Sequence, residues 1–266
     1  MKHRFENKTI WITGASSGIG KACALIFAAK KANLILTGKR QEALSEIQAQ
    51  CLNRGGRCEI LPFDLSNLSG IPALVEDAIH CFGHIDVLYN NAGISQRGLT
   101  GETLFQVDQK IMDINYFAPV LITKLVLPEM IKNHGGTLAV TTSIAGKFGF
   151  PLRSAYSASK HALYGFFETV HAEYYAQNIK VVLVCPGRVN TNISYNALEY
   201  DGKQHAQMDN GQAAGISAEK AATKIVKAIY QQKPEVFVGG KELLMVYINR
   251  LFPGLSRKLI RIIKPT

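Results

Sequence analysis

The octapeptide Thr13-Gly14-Ala15-Ser16-Ser17-Gly18-Ile19-Gly20 follows an apolar run typical of a β-strand and opens a segment with helical periodicity. Glycines at such a strand-to-helix turn permit a tight bend and a close approach of the backbone to a ligand. The first N–H groups of the helix and the positive end of its dipole then favour a bound diphosphate. The spacing is G-x-x-x-G-x-G rather than the more general G-x-G-x-x-G. Alone, this turn is a weak signal whose meaning depends on the rest of the chain.

The remaining sequence alternates short β-branched runs with longer segments of 3.6-residue periodicity, which is the pattern of βαβ units. The predicted strands are Thr9–Thr13, Leu34–Thr37, Arg57–Pro62, Ile85–Tyr89, Thr137–Thr142, Lys180–Val184 and Val236–Val238. The predicted helices lie near residues 19–30, 41–53, 69–82, 103–133, 155–177 and 217–232. Right-handed crossovers then give an α/β fold of Rossmann type, a doubly wound parallel sheet of about seven strands with helices on both faces. A ligand crevice is expected at the carboxyl ends of these strands.

The 266 residues are 47% apolar and 19% charged, a globular composition that suits a single α/β domain over residues 1–266. The net charge of +10 is concentrated at the two ends, since residues 1–40 carry +7, residues 41–240 carry −2 and residues 241–266 carry +5. A nucleic-acid-binding protein more often has a continuous basic stripe with interleaved aromatic residues. We therefore expect no nucleic-acid partner.

Residues 1–8 have neither the apolar core nor the cleavage site of a secretory signal. The longest clean apolar run near either end, Leu243–Ile248, is far shorter than the ~20 residues that span a bilayer, so no transmembrane helix is expected. Five cysteines without a C-x-x-C spacing argue against a disulfide framework and against a zinc site. These features predict a cytoplasmic protein with free thiols and no bound metal.

Three further motifs stand where predicted strands end or helices begin. They are Asn90-Asn91-Ala92-Gly93 after the fourth strand, Tyr156-Ser157-Ala158-Ser159-Lys160 at the start of the fifth helix, and Pro186-Gly187-Arg188-Val189-Asn190-Thr191 after the sixth strand. Together with the glycine turn, Asn115 and Ser143, they resemble the motifs of the short-chain dehydrogenase/reductase family in its single-domain form. The likeness covers residues 13–191 in the family's order. It implies an oxidoreductase that transfers a hydride between a nicotinamide dinucleotide and a carbonyl or alcohol carbon.

The chemistry of Tyr156 and Lys160 agrees with this resemblance. The two residues are four positions apart on a predicted helix, so their side chains lie on one face. A free tyrosine has a pKa of about 10, and a nearby ammonium group favours the phenolate and lowers that pKa. A tyrosine adjusted in this way is a usable general acid and base. Ser143 would donate a hydrogen bond to the substrate carbonyl oxygen as negative charge develops there.

The resemblance implies the remaining site roles. Asn115 would anchor a water that links Lys160 to solvent, Lys160 would also bind the nicotinamide ribose, and Asp64 would contact the adenine amino group. The expected catalytic residues are Asn115, Ser143, Tyr156 and Lys160. The residues expected to bind the cofactor are Gly14, Ser16, Ser17, Gly18, Ile19, Gly20, Lys39, Arg40, Asp64, Leu65, Asn91, Ala92, Gly93, Tyr156, Lys160, Pro186, Gly187, Val189 and Thr191.

The residues after the second strand indicate which nicotinamide cofactor is used. An acidic residue there normally binds the ribose 2′-hydroxyl of NAD, whereas a basic residue accommodates the 2′-phosphate of NADP. The strand ends Thr37-Gly38-Lys39-Arg40, with glycine at the acidic position and two cations after it. Arg40 can bind phosphate through its forked donors, and Lys39 adds a point charge. The sequence therefore predicts NADP(H).

The segment Asn192–Gly215 is long and polar and contains two turn dipeptides, which predicts a mobile substrate lid over the crevice. Apolar residues occur within this lid and after Ser143, namely Ile193, Tyr195, Leu198, Tyr200, Met208, Phe148 and Phe150. They favour a hydrophobic ketone or secondary alcohol, lipid-like or steroid-like, as the small-molecule substrate.

Two regions suggest contacts with larger partners. The helices near 103–133 and 155–177 are apolar on nearly every face, which predicts a homodimer or homotetramer through the side turned away from the sheet. The extension 241–266 is basic and amphipathic, with Leu255, Leu259, Ile262 and Ile263 on one helical face and Arg257, Lys258, Arg261 and Lys264 largely on the other. Such a helix either makes peripheral contact with an anionic membrane or packs over the pocket or across a dimer.

Two other functions fit the same fold. A non-catalytic NADP(H)-binding scaffold or redox sensor would be free to lose the catalytic residues, yet Asn115, Ser143, Tyr156 and Lys160 are all present. A sugar-nucleotide epimerase or dehydratase usually carries a longer C-terminal substrate domain, whereas this chain ends 75 residues after Thr191. The oxidoreductase is therefore the favoured function, with the scaffold as the alternative.

Overall fold

A computed structural model describes residues 5–263; residues 1–4 and 264–266, including Lys264 of the predicted basic face, lie outside the described residues. The strands are β1 (Thr9–Thr13), β2 (Asn33–Gly38), β3 (Arg57–Pro62), β4 (Val87–Asn90), β5 (Gln96–Arg97), β6 (Gly136–Thr141), β7 (Ile179–Pro186), β8 (Val189–Asn190), β9 (Leu198–Glu199), β10 (Ile216–Ser217) and β11 (Glu235–Val238). The helices are α1 (Gly18–Ala28), α2 (Gln41–Leu52), α3 (Ile71–Phe82), α4 (Phe105–Met112), α5 (Ala118–Lys132), α6 (Ser154–Glu173), α7 (Asn210–Ala213), α8 (Ala218–Gln231), α9 (Leu244–Leu251) and α10 (Pro253–Ile262).

Seven strands form one parallel sheet in the order β3-β2-β1-β4-β6-β7-β11, with helices on both faces. Strand β1 shows why both faces are covered: Ile10 and Ile12 enter one apolar core, while Trp11 enters the other. The indole Nε1 of Trp11 donates to Thr37 Oγ1 at 2.9 Å, so this buried donor is satisfied. The predicted Rossmann-type fold is confirmed.

The order of the strands creates the crevice that the sequence predicted. The chain leaves β1 toward β2 and β3 on one side and returns to β4 on the other side. The connections after β1 and β4 therefore diverge and leave a gap at the carboxyl end of the sheet. The glycine turn follows β1 and Asn91–Gly93 follows β4, so both motifs lie at this switch point.

Several predicted boundaries were wrong. Strand β4 begins at Val87 rather than at Ile85, and the helix predicted over 155–177 ends at Glu173. The helix predicted over 103–133 begins at Phe105 and is interrupted by a π-helical turn over Asp113–Phe117. The two-residue strands and α9 were not predicted because they are too short to show a periodicity of their own.

The expectation that no helix could span a membrane needs correction. The continuous helix from Phe105 to Lys132 is long enough for a span, and its mean hydropathy reaches 1.3. Its α5 part packs beside α3 in the second core, where Ile122, Val126 and Met130 are buried. Packing inside the fold therefore accounts for the apolar composition of this helix.

Candidate active site

The glycine turn is held against the loop after β4 by contacts that leave no room for a side chain. Gly14 has φ +65°, in the left-handed region, and a Cβ there would lie 2.7 Å from Ala92 Cα. A Cβ on Gly20 would lie 2.6 Å from Asn91 Nδ2 and would also meet the Gly14 carbonyl oxygen. Thr13 Oγ1 accepts hydrogen bonds from the N–H groups of Asn91 and Ala92, at 3.1 and 3.2 Å. Two of the predicted motifs therefore form one packed unit.

A cavity of about 430 Å³ lies at the start of α1. Ser17 occupies the N-cap position without a side-chain capping bond, so the first N–H groups of α1 have no partner within the helix. The first turn of α1 carries no acidic residue. The residues that line this cavity include Ser16, Ser17, Gly18, Lys21, Arg40, Glu42 and Glu46. Unpaired N–H groups at a helix start suit an anion such as a phosphate.

Of the two cations predicted to bind a 2′-phosphate, only Arg40 lines this cavity. Lys39 forms an ion pair with Asp64 at 2.8 Å instead. Ser66 donates to Asp64 through its backbone N–H and its hydroxyl, at 3.0 and 2.8 Å. Partial burial raises the pKa of Asp64, but the hydrogen bonds from Lys39 and Ser66 outweigh that effect and hold the pKa at about 2. The described structure thus separates the roles of the two neighbouring cations.

A larger cavity of about 640 Å³ adjoins the first one at the start of α1. Gly18 and Asn192 line the smaller cavity, while their chain neighbours Ile19 and Thr191 line the larger. The predicted site residues that line the larger cavity are Ile19, Asn91, Gly93, Ser143, Tyr156, Lys160, Pro186, Gly187, Val189 and Thr191. Together the two cavities form an extended crevice of the size range that holds cofactors and small ligands.

Ser143, just after β6, and Tyr156, in the first turn of α6, meet in the wall of the larger cavity. The Ser143 hydroxyl accepts from the Ala145 N–H at 3.1 Å and donates to the Pro186 carbonyl oxygen at 3.5 Å. Burial raises the pKa of Tyr156, whereas the nearby Ser143 hydroxyl and the charges of Arg153 and Arg97 act to lower it. The net direction is upward, opposite to the shift expected from Lys160.

The position of Lys160 explains that difference. Its Nζ lies 5.8 Å from the centroid of the Tyr156 ring, so the pair does share one helical face. The ammonium donates to the Thr141 carbonyl oxygen at 2.8 Å. Burial also lowers the pKa of Lys160 to about 7. A lysine that is only partly charged at neutral pH does little to stabilise a phenolate.

Asn115 lies in the π-helical turn and is buried. Its Oδ1 accepts from the Ile94 N–H and its Nδ2 donates to the Ile94 carbonyl oxygen, both at 2.9 Å. Nδ2 also donates to Ser159 Oγ at 3.1 Å. A Cβ on Gly93 would lie 3.1 Å from Asn115 Oδ1 and 3.4 Å from Lys160 Nζ. Asn115 therefore ties the loop after β4 to α6 beside Lys160; π-helical turns are often found at functional sites.

Residues 8–201 match the sequence signature of the short chain dehydrogenase family. This chain belongs to the short-chain dehydrogenase/reductase family. It is 40% identical over 264 residues to mouse dehydrogenase/reductase SDR family member 7B, covering 97% of this chain and 82% of that protein. It is 35% identical over 259 residues to the dehydrogenase/reductase SDR family protein 7-like of Drosophila melanogaster, covering 96% of this chain and 79% of the relative.

Solved structures show the same likeness. A short-chain dehydrogenase/reductase from Burkholderia phymatum, crystallised in complex with NAD, superposes with a TM-score of 0.83 at 25% identity, covering 95% of this chain and 96% of the other. A short-chain dehydrogenase from Streptomyces avermitilis gives a TM-score of 0.80 at 28% identity over 96% and 98% of the two chains. This short-chain dehydrogenase/reductase is an oxidoreductase that acts on CH–OH groups of donors with a nicotinamide dinucleotide as acceptor.

In this dehydrogenase/reductase, α10 packs over the larger cavity, which was one of the alternatives for the basic tail. Leu259, Ile262 and Ile263 line the cavity, together with Met245 from α9. Leu255 and Ile262 of the same predicted face nevertheless remain 48% and 76% exposed. The apolar face of α10 therefore closes part of the crevice.

The predicted lid residues have different positions. Ile193 and, after β6, Phe150 line the larger cavity. Leu198 packs in a small separate cluster with Val107, and Tyr195 is 41% exposed. Among the predicted cofactor residues, Leu65 is buried in the second core, where it packs against neighbouring apolar side chains.

Sequence reasoning missed a buried charged cluster beside Tyr156. Arg97 and Asp209 form a two-pronged ion pair, and Ser194 Oγ donates to Asp209 at 2.8 Å. Arg153 Nη2 lies 3.6 Å from Asp209 Oδ2, and all three charged residues line the larger cavity. No local spacing links Arg97 to Asp209, which are 112 positions apart. Arg153 is three positions before Tyr156, a helical spacing that could have revealed it.

Proposed function

We propose that this enzyme transfers a hydride between NADP(H) and a ketone or secondary alcohol, with Tyr156 as the general acid and base. The observation that carries the proposal is that Ser143, Tyr156 and Lys160 all line the larger cavity, with Lys160 Nζ 5.8 Å from the centroid of the Tyr156 ring. Ser143 follows β6, whereas Tyr156 and Lys160 lie on α6, and all three face the same crevice. Their meeting there is the arrangement that proton transfer to a bound carbonyl requires.

In the reducing direction, Tyr156 donates its phenolic proton to the substrate carbonyl oxygen, and Ser143 hydrogen-bonds the same oxygen as it becomes negative. The raised pKa of Tyr156 suits this step, because the phenol is protonated at neutral pH. Lys160, with a pKa of about 7, is suited to return a proton to Tyr156 afterwards. Asn115 acts as a positioning residue, since it bonds the loop and the helix on either side of Lys160.

The residues of the crevice fit a dinucleotide. The uncapped start of α1 supplies N–H groups for the diphosphate, and the absence of side chains at Gly14 and Gly20 lets the two loops close around it. The residues that would hold the cofactor along the crevice are Ser16, Ser17, Gly18, Ile19, Arg40, Asn91, Gly93, Tyr156, Lys160, Pro186, Gly187, Val189 and Thr191. When bound, the nicotinamide gives a hydride to the substrate carbon or takes one from it.

The preference for NADP(H) rests on Arg40. It lines the smaller cavity with Lys21, and Gly38 stands where an acid would bind an NAD ribose. A Cβ on Gly38 would lie 3.2 Å from Ser16, so the strand end is closely packed. Two observations favour NAD instead: the Burkholderia phymatum relative was crystallised with it, and two carboxylates line the same cavity. Arg40 remains the stronger argument because its guanidinium can bind a phosphate with two parallel hydrogen bonds.

The apolar wall of the larger cavity supports a substrate with a hydrophobic part. Phe150, Ile193, Met245 and Leu259 contribute to this wall. We take residues 192–215 as the substrate lid of a single domain, because Ile193 and Asp209 extend from that segment over the cavity. If the lid moves during turnover, substitutions of the apolar residues in this wall should change the KM for the substrate.

We take the enzyme to be cytoplasmic and oligomeric, with exposed Phe105 and Phe117 on the long helix as part of the subunit contact. Peripheral membrane contact through α10 is part of the proposal, since Arg257, Lys258 and Arg261 are exposed there and Leu255 and Ile262 of its apolar face also remain exposed. Flotation with anionic liposomes of the full chain and of a version truncated at Phe252 tests this contact; equal flotation would exclude it.

The function is tested by following absorbance at 340 nm with NADPH and with NADH across a panel of carbonyl compounds. We expect NADPH oxidation with hydrophobic ketones and little with small hydrophilic sugars or ketoacids. Tight NADPH binding without oxidation by any carbonyl would favour the non-catalytic scaffold. Much tighter binding of NADH than of NADPH would reject the role of Arg40.

A further inference from the structure

One carboxylate joins three parts of the lid to each other. Asp209 lies toward the end of the lid, and its side chain is buried. Ser194 Oγ, from the start of the lid, donates to Asp209 Oδ2 at 2.8 Å. His205 Nε2, from the middle of the lid, lies 3.3 Å from Asp209 Oδ1, while its Nδ1 contacts the Glu199 carboxylate. The Asp209 carboxylate is therefore the point at which the folded lid is held together.

Arg97 fastens the same carboxylate to the body of the protein. Its Nε donates to Asp209 Oδ1 at 3.3 Å, and its Nη2 donates to Asp209 Oδ2. Its Nη1 donates to Ser95 Oγ at 2.8 Å and to the Gln96 carbonyl oxygen at 2.6 Å. All three guanidinium nitrogens are engaged, which fixes the planar fork in one orientation. Arg97 belongs to β5, which pairs with β9 of the lid.

Local structure does not account for the Asp209 side chain. Asp209 is the N-cap residue of α7, a position where an aspartate normally accepts hydrogen bonds from the first N–H groups of the helix. Its side chain makes no such bond here. The carboxylate bonds Arg97 instead and lines the larger cavity. Its partner is 112 positions away, so its contact is a tertiary one.

Stability alone is a weak reason for this ion pair. The side chains of Arg97 and Asp209 are 5% and 3% exposed. Moving two charges out of water is costly, and a well-packed apolar pair of similar volume often stabilises a fold as well or better. Selection of one conformation among several is the better attested use of such a pair. The conformation selected here is the position of the lid.

The lid residues that line the larger cavity are close in the chain to the residues that this pair holds. Ile193 precedes Ser194, and Gly211 and Gln212 follow Asp209; Ile193, Asp209, Gly211 and Gln212 all line the cavity. Loss of the pair would leave these residues joined to the chain but no longer fixed beside the cavity. The wall that they form would then be incomplete when the substrate arrives.

We infer that Arg97 is a positioning residue for the reaction, because its ion pair with Asp209 fixes the lid over the larger cavity and completes the wall that binds the substrate. Arg97 acts through Asp209 and the lid rather than on the reacting atoms. Its loss therefore impairs substrate binding more than it impairs the chemical step. This inference rests on the proposed function and identifies the contact that holds the lid.

Hydrogen–deuterium exchange of the full chain with NADPH tests the pair without turnover. Arg97→Gln and Asp209→Asn should each speed exchange in peptides from residues 192–215 by about tenfold or more, because a buried charge loses its partner. Exchange in β6 and β7 should stay unchanged. Lys203→Gln is the matched control: it breaks an ion pair of the same lid, with Asp201 at 2.7 Å, but Lys203 is 83% exposed, so lid exchange should match that of wild type.

Steady-state kinetics separate positioning from a merely structural role. The probe is the ketone that wild type reduces fastest in the carbonyl panel. Its KM should rise about tenfold in Arg97→Gln and in Asp209→Asn, with kcat and NADPH affinity changing less than about threefold. The double variant should be no worse than either single one, because both substitutions break one contact. Arg97→Lys keeps the charge and should recover part of the loss.

Circular dichroism melts establish that each variant folds. Should a buried charge substitution prevent folding, Ser194→Ala removes one neutral hydrogen bond to Asp209 and should give the same changes on a smaller scale. Unchanged lid exchange, a uniform rise over the whole chain, or a loss of kcat at constant KM would overturn the inference. Absence of NADPH oxidation by wild type with any carbonyl would instead reject the proposed function, and the exchange pattern would still decide whether Arg97 holds the lid.

Discussion

The two ends of the crevice are built in different ways. The nucleotide end consists of short runs of consecutive residues, Thr13–Gly20 and Asn91–Gly93, whose backbones touch so closely that Gly14 and Gly20 admit no side chain. The substrate end is assembled from β5, the start of α6, the lid and α10, which are far apart in the chain. The first end depends on backbone geometry and the second on side-chain chemistry.

Substitution of Tyr156, which lies where the two ends of the crevice meet, should cause the largest loss of activity. Tyr156→Phe removes the proposed proton donor and should reduce kcat by about 10²–10⁴-fold, as loss of a general acid does. NADPH affinity should change little, because the phenol is one of many cofactor contacts. Steady-state kinetics and fluorescence titration measure the two quantities. Tyr175→Phe, at an exposed position, is the control, and activity retained by Tyr156→Phe would refute the assignment.

A substitution at the nucleotide end, away from Tyr156, should alter the preference between NADPH and NADH but not the hydride transfer itself. Arg40→Gln should weaken NADPH binding by about 10–100-fold, the value of a lost hydrogen bond to a charged group, while leaving NADH nearly unaffected. Lys39→Gln is the matched neighbour and should have a smaller effect, because Lys39 is held by Asp64. Fluorescence titration of both cofactors measures the difference. A larger effect of Lys39→Gln would show that the ion pair opens when the cofactor binds.

The close packing of the nucleotide end has a stability consequence. Gly20→Ala should lower the free energy of unfolding by about 1–3 kcal/mol, because the new methyl group meets Asn91 and the Gly14 carbonyl. Gly165→Ala, in the exposed face of α6 with open space around it, should raise it by up to about 1 kcal/mol. Urea unfolding followed by circular dichroism compares the two. Equal effects would mean that the turn is looser than its backbone contacts indicate.

The burial of Lys160 at the substrate end should make the stability of the protein depend on pH. Its pKa is about 7 in the folded chain, against about 10.4 for an unperturbed lysine. Between these values the unfolded state binds the extra proton, so this residue makes stability rise with pH, by at most about 1.4 kcal/mol per pH unit. The contribution is complete above the unfolded pKa and is lost as the pH falls to about 7. Urea unfolding at pH 7, 8 and 9 measures the free energy of unfolding, which should rise with pH more steeply for wild type than for Lys160→Met. Parallel profiles of the two proteins would contradict the lowered pKa.

Local patterns were sufficient for the architecture, and they indicated the side chains that we propose for proton transfer. Alternating β-branched and 3.6-residue segments led to the parallel sheet, and the spacing of Tyr156 and Lys160 correctly predicted their shared face. The predicted pKa of Tyr156 was wrong in direction, because burial depends on what the whole fold packs over the phenol. Lys39 was grouped with Arg40, because its pairing with Asp64 cannot be read from either segment alone.

Sequence by itself determined the order of strands and helices and the glycine turn, and it led to the residues that we propose for proton transfer, since each depends on neighbours within a few positions. Only the tertiary structure decided which charges share the larger cavity, which of two adjacent cations faces the smaller one, and that α10 covers the crevice. The physical reason is the distance along the chain over which each effect acts. Backbone conformation is set by local sterics and hydrogen bonding, whereas burial and charge balance depend on residues that the chain brings together from distant positions.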